Sequence, residues 1–292
     1  MTSKGWSLER FETAADLLRA AGDFLAFREA ENNLPLGLAI ALGKARLGQM
    51  GVYLSVVRGS AGVALVALRT PPCNLVISPA TDPAALGCLV EALAPDFPGL
   101  PGVTGPTPET AIFARAWTAR TGASATLILH ERIYQASHIV APSPAPPGHC
   151  RLAGPADVPL LTNWLVDFQV EALADDPASV DWKAQAQGWA RRSERRMYLW
   201  EKAGQVVAMA GAKAPTPNGI RIGPVYTPPV QRGHGYGSAI SAAASAAEIA
   251  AGRRFCCLFT DLANPIPNAI YARIGYQIVS DVDMYRFARW AG

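Results

Sequence analysis

The segment APSPAPPGHC, Ala141–Cys150, does most to limit how this chain can fold. Its four prolines and a glycine remove backbone donors and fix torsions, so neither a helix nor an inner strand crosses it. It stands between two patterned stretches of nearly equal length, each of which must bury a core of its own. Half of the 292 residues are hydrophobic and 17% are charged, which is enough apolar material for two cores.

The two stretches read in the same order. In the first, helical periodicity predicts an amphipathic helix around Leu8–Glu31 and a second around Leu36–Leu47. Strands follow at Val52–Val57 and Val63–Leu68, across the turn Arg58–Gly62, and a third at Leu75–Ser78 stops before Pro79. A helix (Asp82–Leu93), a short strand near Gly102–Thr104, a helix (Pro108–Arg120) and strands through Thr126–Val140 complete this half. The second half offers a strand at Arg151–Ala153, a helix at Asp157–Ala174, helical sequence at Trp182–Arg192 and a hairpin at Met197–Lys213 turning on Ala203–Gly204. A strand (Ile220–Thr227), a helix (Ser238–Ala251), a strand (Phe255–Leu262), a helix (Pro267–Ile274) and a closing strand (Asp283–Phe287) follow. The hairpins correspond at an offset of about 145 positions, the pattern of an old duplication. The expected class is α/β, with domains at 1–140 and 151–292 joined by the linker 141–150.

Several functions are excluded at this level. A net charge of +3 is too small to argue for nucleic acid or an anionic membrane as partner. No apolar run reaches the length of a membrane span, and the first residues lack the apolar core of a signal peptide. Five cysteines without a CxxC pair read as reduced thiols of a cytoplasmic protein, and four scattered histidines give no metal site. The cluster Arg191–Arg196 has two readings, a solvated helix end or a role near an acidic ligand.

The chemistry concentrates at VYTPPVQRGHGYGSAI, residues 225–240. Pro228 and Pro229 cannot donate to a ladder, so the strand before them must leave the sheet there. Gly233, Gly235 and Gly237 then allow positive φ and let amide groups approach a ligand with no Cβ in the way. A small-residue helix follows, with Ile240, Ala243, Ala244, Ala247 and Ala251 as its expected sheet-facing stripe. Its N-terminus offers unpaired N–H groups and a positive dipole end, and Arg232 adds a permanent charge, so the turn suits a phosphate or pyrophosphate. A dinucleotide fingerprint fails, because Ser238 or Ile240 stands where its last glycine should be. A Walker loop fails for want of a lysine.

Arg232-Gly233-His234-Gly235-Tyr236-Gly237 instead matches R/Q-x-x-G-x-G/A, and over roughly residues 150–290 the sequence resembles the GNAT superfamily of acetyltransferases. A second stretch, TDLANPIPNAIYARIGYQIV, places Asn264, Tyr271 and Gly275-Tyr276 on that family's pattern, with Pro267 as a departure that implies a displaced helix start. The resemblance implies two GNAT-like domains in tandem, with mixed, mostly antiparallel sheets flanked by helices, the first domain degenerate because PATDPAALG replaces its glycine turn.

It also implies acetyl-CoA as acyl donor and an amine as acceptor, in a monomer or homodimer. The backbone of Val225, Tyr226 and Thr227 would pair with the pantetheine arm, and amides from Gly233 to Ser238, with Arg232, His234 and Tyr236 among them, would hold the pyrophosphate. Tyr271 would protonate the departing thiolate, and Asn264 would contact CoA.

Plainer readings stand beside these. Asn264 could only cap a helix, Tyr271 could be core, and His234 could be solvent-exposed. Trp164, Trp182, Trp189 and Trp200 could line an acceptor pocket or pack in a core. The strand before the glycine turn lacks a glutamate, which leaves Glu171, Asp167, Asp261 or a water as the base. An alternative function is a non-catalytic acyl-CoA sensor.

Overall fold

The computed structural model describes residues 2–3, 5–43, 51–173, 180–191 and 194–288. The far ends of the helices expected at Leu36–Leu47 and Asp157–Ala174, together with Arg192 and Ser193, lie outside them. The chain divides into two compact units, one of 1–133 with 260–263 and 279–292, the other of 134–259 with 264–278. The proline-rich segment lies inside the second.

The elements of the first unit are β1 (Thr2–Ser3), β2 (Trp6–Arg10), α1 (Ala14–Phe27), α2 (Asn33–Leu42), β3 (Tyr53–Gly59), β4 (Gly62–Arg69), β5 (Leu75–Ile77), α3 (Ala84–Leu93), β6 (Gly102–Pro106), α4 (Thr107–Thr121) and most of β7 (Ser124–Ala136). Those of the second are β8 (His149–Leu152), α5 (Val158–Leu173), α6 (Trp182–Ala190), β9 (Arg196–Lys202), β10 (Gln205–Lys213), β11 (Gly219–Tyr226), α7 (Tyr236–Ala250), most of β12 (Phe255–Asp261), α8 (Pro265–Arg273) and the start of β13 (Gln277–Ala288). The repeated order is visible throughout: β3 begins at Tyr53 and β9 at Arg196, 143 positions later, and β4 and β10 keep the same interval.

In the first unit the strand order is β1-β2-β3-β4-β5-β6-β13-β7, and from β1 to β13 the pairs are antiparallel except for β5 with β6. One sheet face packs on α1 and α2 through Leu17, Leu25, Val56 and Leu68. The other packs on α3 and α4, where Phe113, Trp117 and Phe287 stack, the last two with centroids 5.8 Å apart. The single helix expected from Leu8 is in fact a strand and then a helix. Trp6 and Leu8 alternate onto the core, and the Trp6 ring lies so close to Gly59 that a Cβ there would be 2.6 Å away. Thr13 then starts α1 as an N-cap, its hydroxyl accepting from the Asp16 amide at 3.1 Å.

The second unit has the order β12-β11-β10-β9-β8, with β11 and β12 parallel and the remaining pairs antiparallel. The β9–β10 hairpin turns on Ala203 (φ 47°) and Gly204 (φ 77°), the two positive torsions that suit the twist of its strands. α5 and α6 cover one sheet face, burying Trp164, Trp189, Met197, Leu199, Met209 and Tyr226, while α7 and α8 cover the other. Trp164, Trp189 and Trp200 are core residues, and Trp182 packs against that core.

α7 keeps most of the expected stripe against the sheet, since Ile240 and Ala244 are core residues and Ala243 and Ala247 pack partly buried against them, but the buried face is wider and ends before Ala251. Tyr236, Ala239, Ile240 and Ala244 are buried together with Ser241, Ser245 and Glu248, whereas Ala251 is exposed. Charge pairing holds the polar part of that face. Arg196 on β9 makes a two-pronged contact with Glu248, one bond being 2.7 Å, and the Tyr198 hydroxyl donates to the same carboxylate at 2.8 Å. The Glu248 side chain is fully buried, so this charge is tolerable only with those partners. Glu248→Ala is expected to lower the unfolding free energy by about 3–5 kcal/mol in chemical denaturation, the range for stranding one half of a buried pair; a loss under about 1 kcal/mol would contradict the role given to the pair.

Candidate active site

The parallel pairing of β11 with β12 joins Gly219–Arg221 to Phe255–Cys257 and stops, although β11 runs on to Tyr226 and β12 to Asp261. On its other edge β11 stays paired with β10, Ala210 facing Val225 and Met209 facing Tyr226. Past Arg221, then, among the described residues β11 has one paired edge and one that no strand pairs, whose N–H and C=O groups are left for a partner.

A bulge sets which side chains flank this edge. Ala212 pairs with Ile222 and Ala210 with Val225, so β11 carries one residue more than β10 over the interval. Gly223 (φ 144°) and Pro224 lie in it, and a Cβ on Gly211 would stand 2.8 Å from the Gly223 oxygen. The extra residue resets the alternation: Ile222 and Val225 share the α7 face, and Tyr226 joins the α5/α6 core, as strand alternation predicts for Val225 and Tyr226.

Beyond β11 the chain turns through Pro229–Gln231 and enters α7 at Tyr236. Gly233 (φ 80°) and Gly235 (φ 81°) are left-handed, with Gly235 as the N-cap residue and no side chain capping the helix. The first amides of α7 therefore have neither an intrahelical acceptor nor a side-chain substitute, and residues 232–235 are exposed around them. Gly237 differs from expectation. It lies inside α7 without a positive φ, and a Cβ there would be 3.4 Å from Thr227 Oγ1. His234 is exposed and stacks on Tyr236 at 5.7 Å, while the Tyr236 ring is buried and seats the first turn of α7 in the core.

Arg232 lies beside the loop, but its guanidinium is engaged. Nη2 meets Glu171 Oε2 at 2.5 Å, and Nε donates to the Thr227 carbonyl at 2.9 Å. Glu171 also accepts from the Tyr226 hydroxyl at 3.3 Å. Burial, and then the Glu171 charge, push the Tyr226 phenol up to about 12. Of the three carboxylates considered as base, Glu171 thus joins Tyr226 and Arg232 at the end of β11. Asp167 is close enough to add to the rise at Tyr226, while Asp261 accepts from the Ala263 amide at 2.8 Å.

Asn264 is exposed and caps α8, its side chain accepting from the Ile266 amide at 3.3 Å. α8 starts at Pro265, so both prolines fall in the first turn, where their missing donors cost little. Tyr271 is buried in the same cluster as Tyr236 and Ile240 of α7 and Ile222 of β11, its ring 5.9 Å from that of Tyr276. Burial pushes its phenol up to about 12. The nearby Ser241 hydroxyl pulls the other way, but Ser241 Oγ is buried without a formed hydrogen bond, so burial prevails.

The corresponding region of the first unit is closed. β5 and β6 pair at Leu75–Val103 and Val76–Thr104, and Gly105 presses on the end of β5, where a Cβ would be 2.7 Å from the Ile77 oxygen. The Asp82 carboxylate accepts from the Ala84 amide at 2.8 Å, placing a negative charge at the N-terminus of α3.

A strand with an open edge leading into a glycine-led helix without a side-chain cap can receive an extended chain that ends in an anion. Residues 159–276 match the model of the acetyltransferase (GNAT) family. Across its length the chain is similar to a GCN5-related N-acetyltransferase from Sphaerobacter thermophilus (TM-score 0.62, 16% identity, 98% of this chain and 96% of that one). It is similar also to an acetyltransferase of the GNAT family from Colwellia psychrerythraea (TM-score 0.58, 11% identity, 97% and 100%). A tandem GNAT protein from the clavulanic acid biosynthesis pathway matches with TM-score 0.56 at 14% identity, covering 97% and 98%. At these identities the likeness is one of fold, and it extends a GNAT-like fold over both units. No curated protein matches the chain by sequence.

The two loop glycines of contrasting torsion separate in a stability measurement. Gly235→Ala, forced into a left-handed torsion, is expected to destabilise by about 1 kcal/mol, whereas helical Gly237→Ala is expected to be neutral or stabilising by up to about 1 kcal/mol. Equal losses at both positions in thermal unfolding would contradict this assignment.

Proposed function

We propose that the protein is an acetyl-CoA-dependent N-acyltransferase that moves an acetyl group to a primary amine of a small molecule or peptide. The observation that carries the reading is the open edge of β11 beyond Arg221, continuous with the uncapped start of α7. When bound, acetyl-CoA supplies an acyl group activated as a thioester. The Val225–Thr227 backbone pairs with the amides of the pantetheine arm, and the amides between Gly233 and Ser238 hold the pyrophosphate against the helix dipole. Arg232 adds charge by exchanging Glu171 for a phosphate oxygen.

The acceptor amine attacks directly; its nitrogen gains the acyl carbon as the C–S bond breaks. Tyr271, a phenol protonated at neutral pH whose pKa burial raises further, gives its proton to the leaving thiolate. Glu171, or a water ordered by it, receives the proton of the amine, and its release from Arg232 on cofactor binding frees it for that role. In this reading 151–292 is the catalytic domain, 141–150 a linker and 1–140 a degenerate relative with its equivalent cleft closed, in a cytoplasmic monomer or homodimer.

Free-CoA release against a panel of amines tests the reading. Tyr271→Phe is expected to lower kcat by about 10²–10⁴-fold, the usual worth of a positioned proton donor, with acetyl-CoA affinity near that of the wild type. Turnover unchanged in Tyr271→Phe removes that residue as the acid, and binding without any turnover favours a sensor. Gly235→Val is expected to weaken acetyl-CoA binding by at least tenfold, since it distorts the amide cradle; near-normal affinity by calorimetry would rule out the phosphate assignment.

A further inference from the structure

Within the basic cluster 191–196, Arg195 and Arg196 have opposite fates. Arg196 points to the α7 face and is neutralised by Glu248. Arg195 lies on the α5/α6 side, its guanidinium 5.3 Å from the Trp189 ring centroid and donating to Gln185 Oε1 at 2.7 Å. It rests so closely on α6 that a Cβ at Gly188 would stand 1.9 Å from its Nη2. Trp189 in turn lies against β10 at Gly211, where a Cβ would be 2.8 Å from the ring.

Two residues farther along β10, and so on the same face, stands Lys213. Its direct cross-strand partner is Arg221, whose guanidinium is 5.6 Å from the Phe259 ring centroid. Arg221 is also on the last rung joining β11 to β12, at the closed end of the open edge.

The charged groups acting on Lys213 are Arg221 and Arg195, and among the described residues neither Lys213 nor Arg195 forms an ion pair. Burial first, and the two arginines next, push the Lys213 ammonium down to about 8. Among the described residues, then, Arg196 has a carboxylate partner and Arg195 has none. Lys213, Arg221 and Arg195 are all of intermediate burial, and Arg221 Nε is buried.

We propose that Lys213, Arg221 and Arg195 form a binding site for an anionic oxygen group, a carboxylate or phosphate, and that the acceptor is an acidic small molecule carrying the amine. Trp189 and Phe259 form apolar walls behind the two guanidiniums, which keeps their charge directed at the ligand. The acceptor half of the proposal rests on the acyltransferase reading above; the anion site itself does not.

Calorimetry on the full chain with inorganic phosphate and with malonate tests the site, and Lys213→Met is expected to weaken the tighter of the two by at least tenfold. Lys213→Arg should retain most of the binding. Acetyl-CoA affinity should be the same in wild type and Lys213→Met, because phosphate held at the α7 loop would be indifferent to Lys213. Lys213→Met should melt above the wild type at pH 7. Lowering an ammonium pKa below its ordinary 10.5 makes the wild type gain stability as pH rises from about 8 to 10.5, so the gap should narrow over that window.

Anion binding that is absent, or equal in wild type and Lys213→Met, overturns the site. For the acceptor, phosphoethanolamine should exceed ethanolamine, or glycine exceed glycinamide, by at least tenfold in kcat/KM, and the preference should collapse in Lys213→Met. Transfer without any such preference overturns the acceptor class. Lys213-dependent anion binding with no transfer to any amine leaves the site standing and defeats the acyltransferase reading.

Discussion

The functional geometry depends on an unmet requirement of strand pairing. Backbone N–H and C=O groups in a sheet need partners, and β11 loses those of β12 after Arg221 while keeping those of β10. An edge opened inside a sheet, rather than at its rim, is a slot for an extended chain with amides of its own. The rest of the site follows from where that slot ends. Pro228 and Pro229 stop the strand, two left-handed glycines turn the chain, and α7 starts with free amides facing outward.

The closed counterpart in the first unit shows how little separates a site from a plain fold. Gly105 against Ile77 keeps β5 and β6 together, and Asp82 supplies from within the chain the negative charge that a ligand would bring to the helix N-terminus. The order of elements is preserved, but what the slot and the helix end can accept is not. What differs between the two units lies in a few backbone torsions and one strand pairing rather than in the order of elements.

Much of this was legible in the sequence. The hairpin at Ala203–Gly204, the repeat interval and the glycine turn all rest on local torsion and periodicity, which a sequence displays directly. What it hid depends on long-range pairing. The burial of Glu248 in the face of α7 follows from Arg196 and Tyr198 about fifty residues away, and the pairing of Arg232 follows from Glu171 sixty-one residues earlier. The expectation that Gly237 supplies a positive φ missed that α7 begins at Tyr236, because Tyr236 looked like a loop residue and is a core one. The strand Trp6–Arg10 did carry its period-two signal in Trp6 and Leu8, but the longer helical pattern after it absorbed the segment. Gly223-Pro224, interrupting an apolar strand, was the available sign of the bulge that sends Val225 and Tyr226 to their observed faces.

The central claim is that one backbone surface, from β11 into α7, receives the acyl carrier. Amide hydrogen exchange with and without saturating CoA addresses it residue by residue. The account predicts slowed exchange at Val225, Tyr226 and Thr227 and at the amides from Gly233 to Ser238, with Ala84 and its neighbours at the start of α3 unchanged. Protection confined to other elements, or none at these amides with CoA bound, would contradict it.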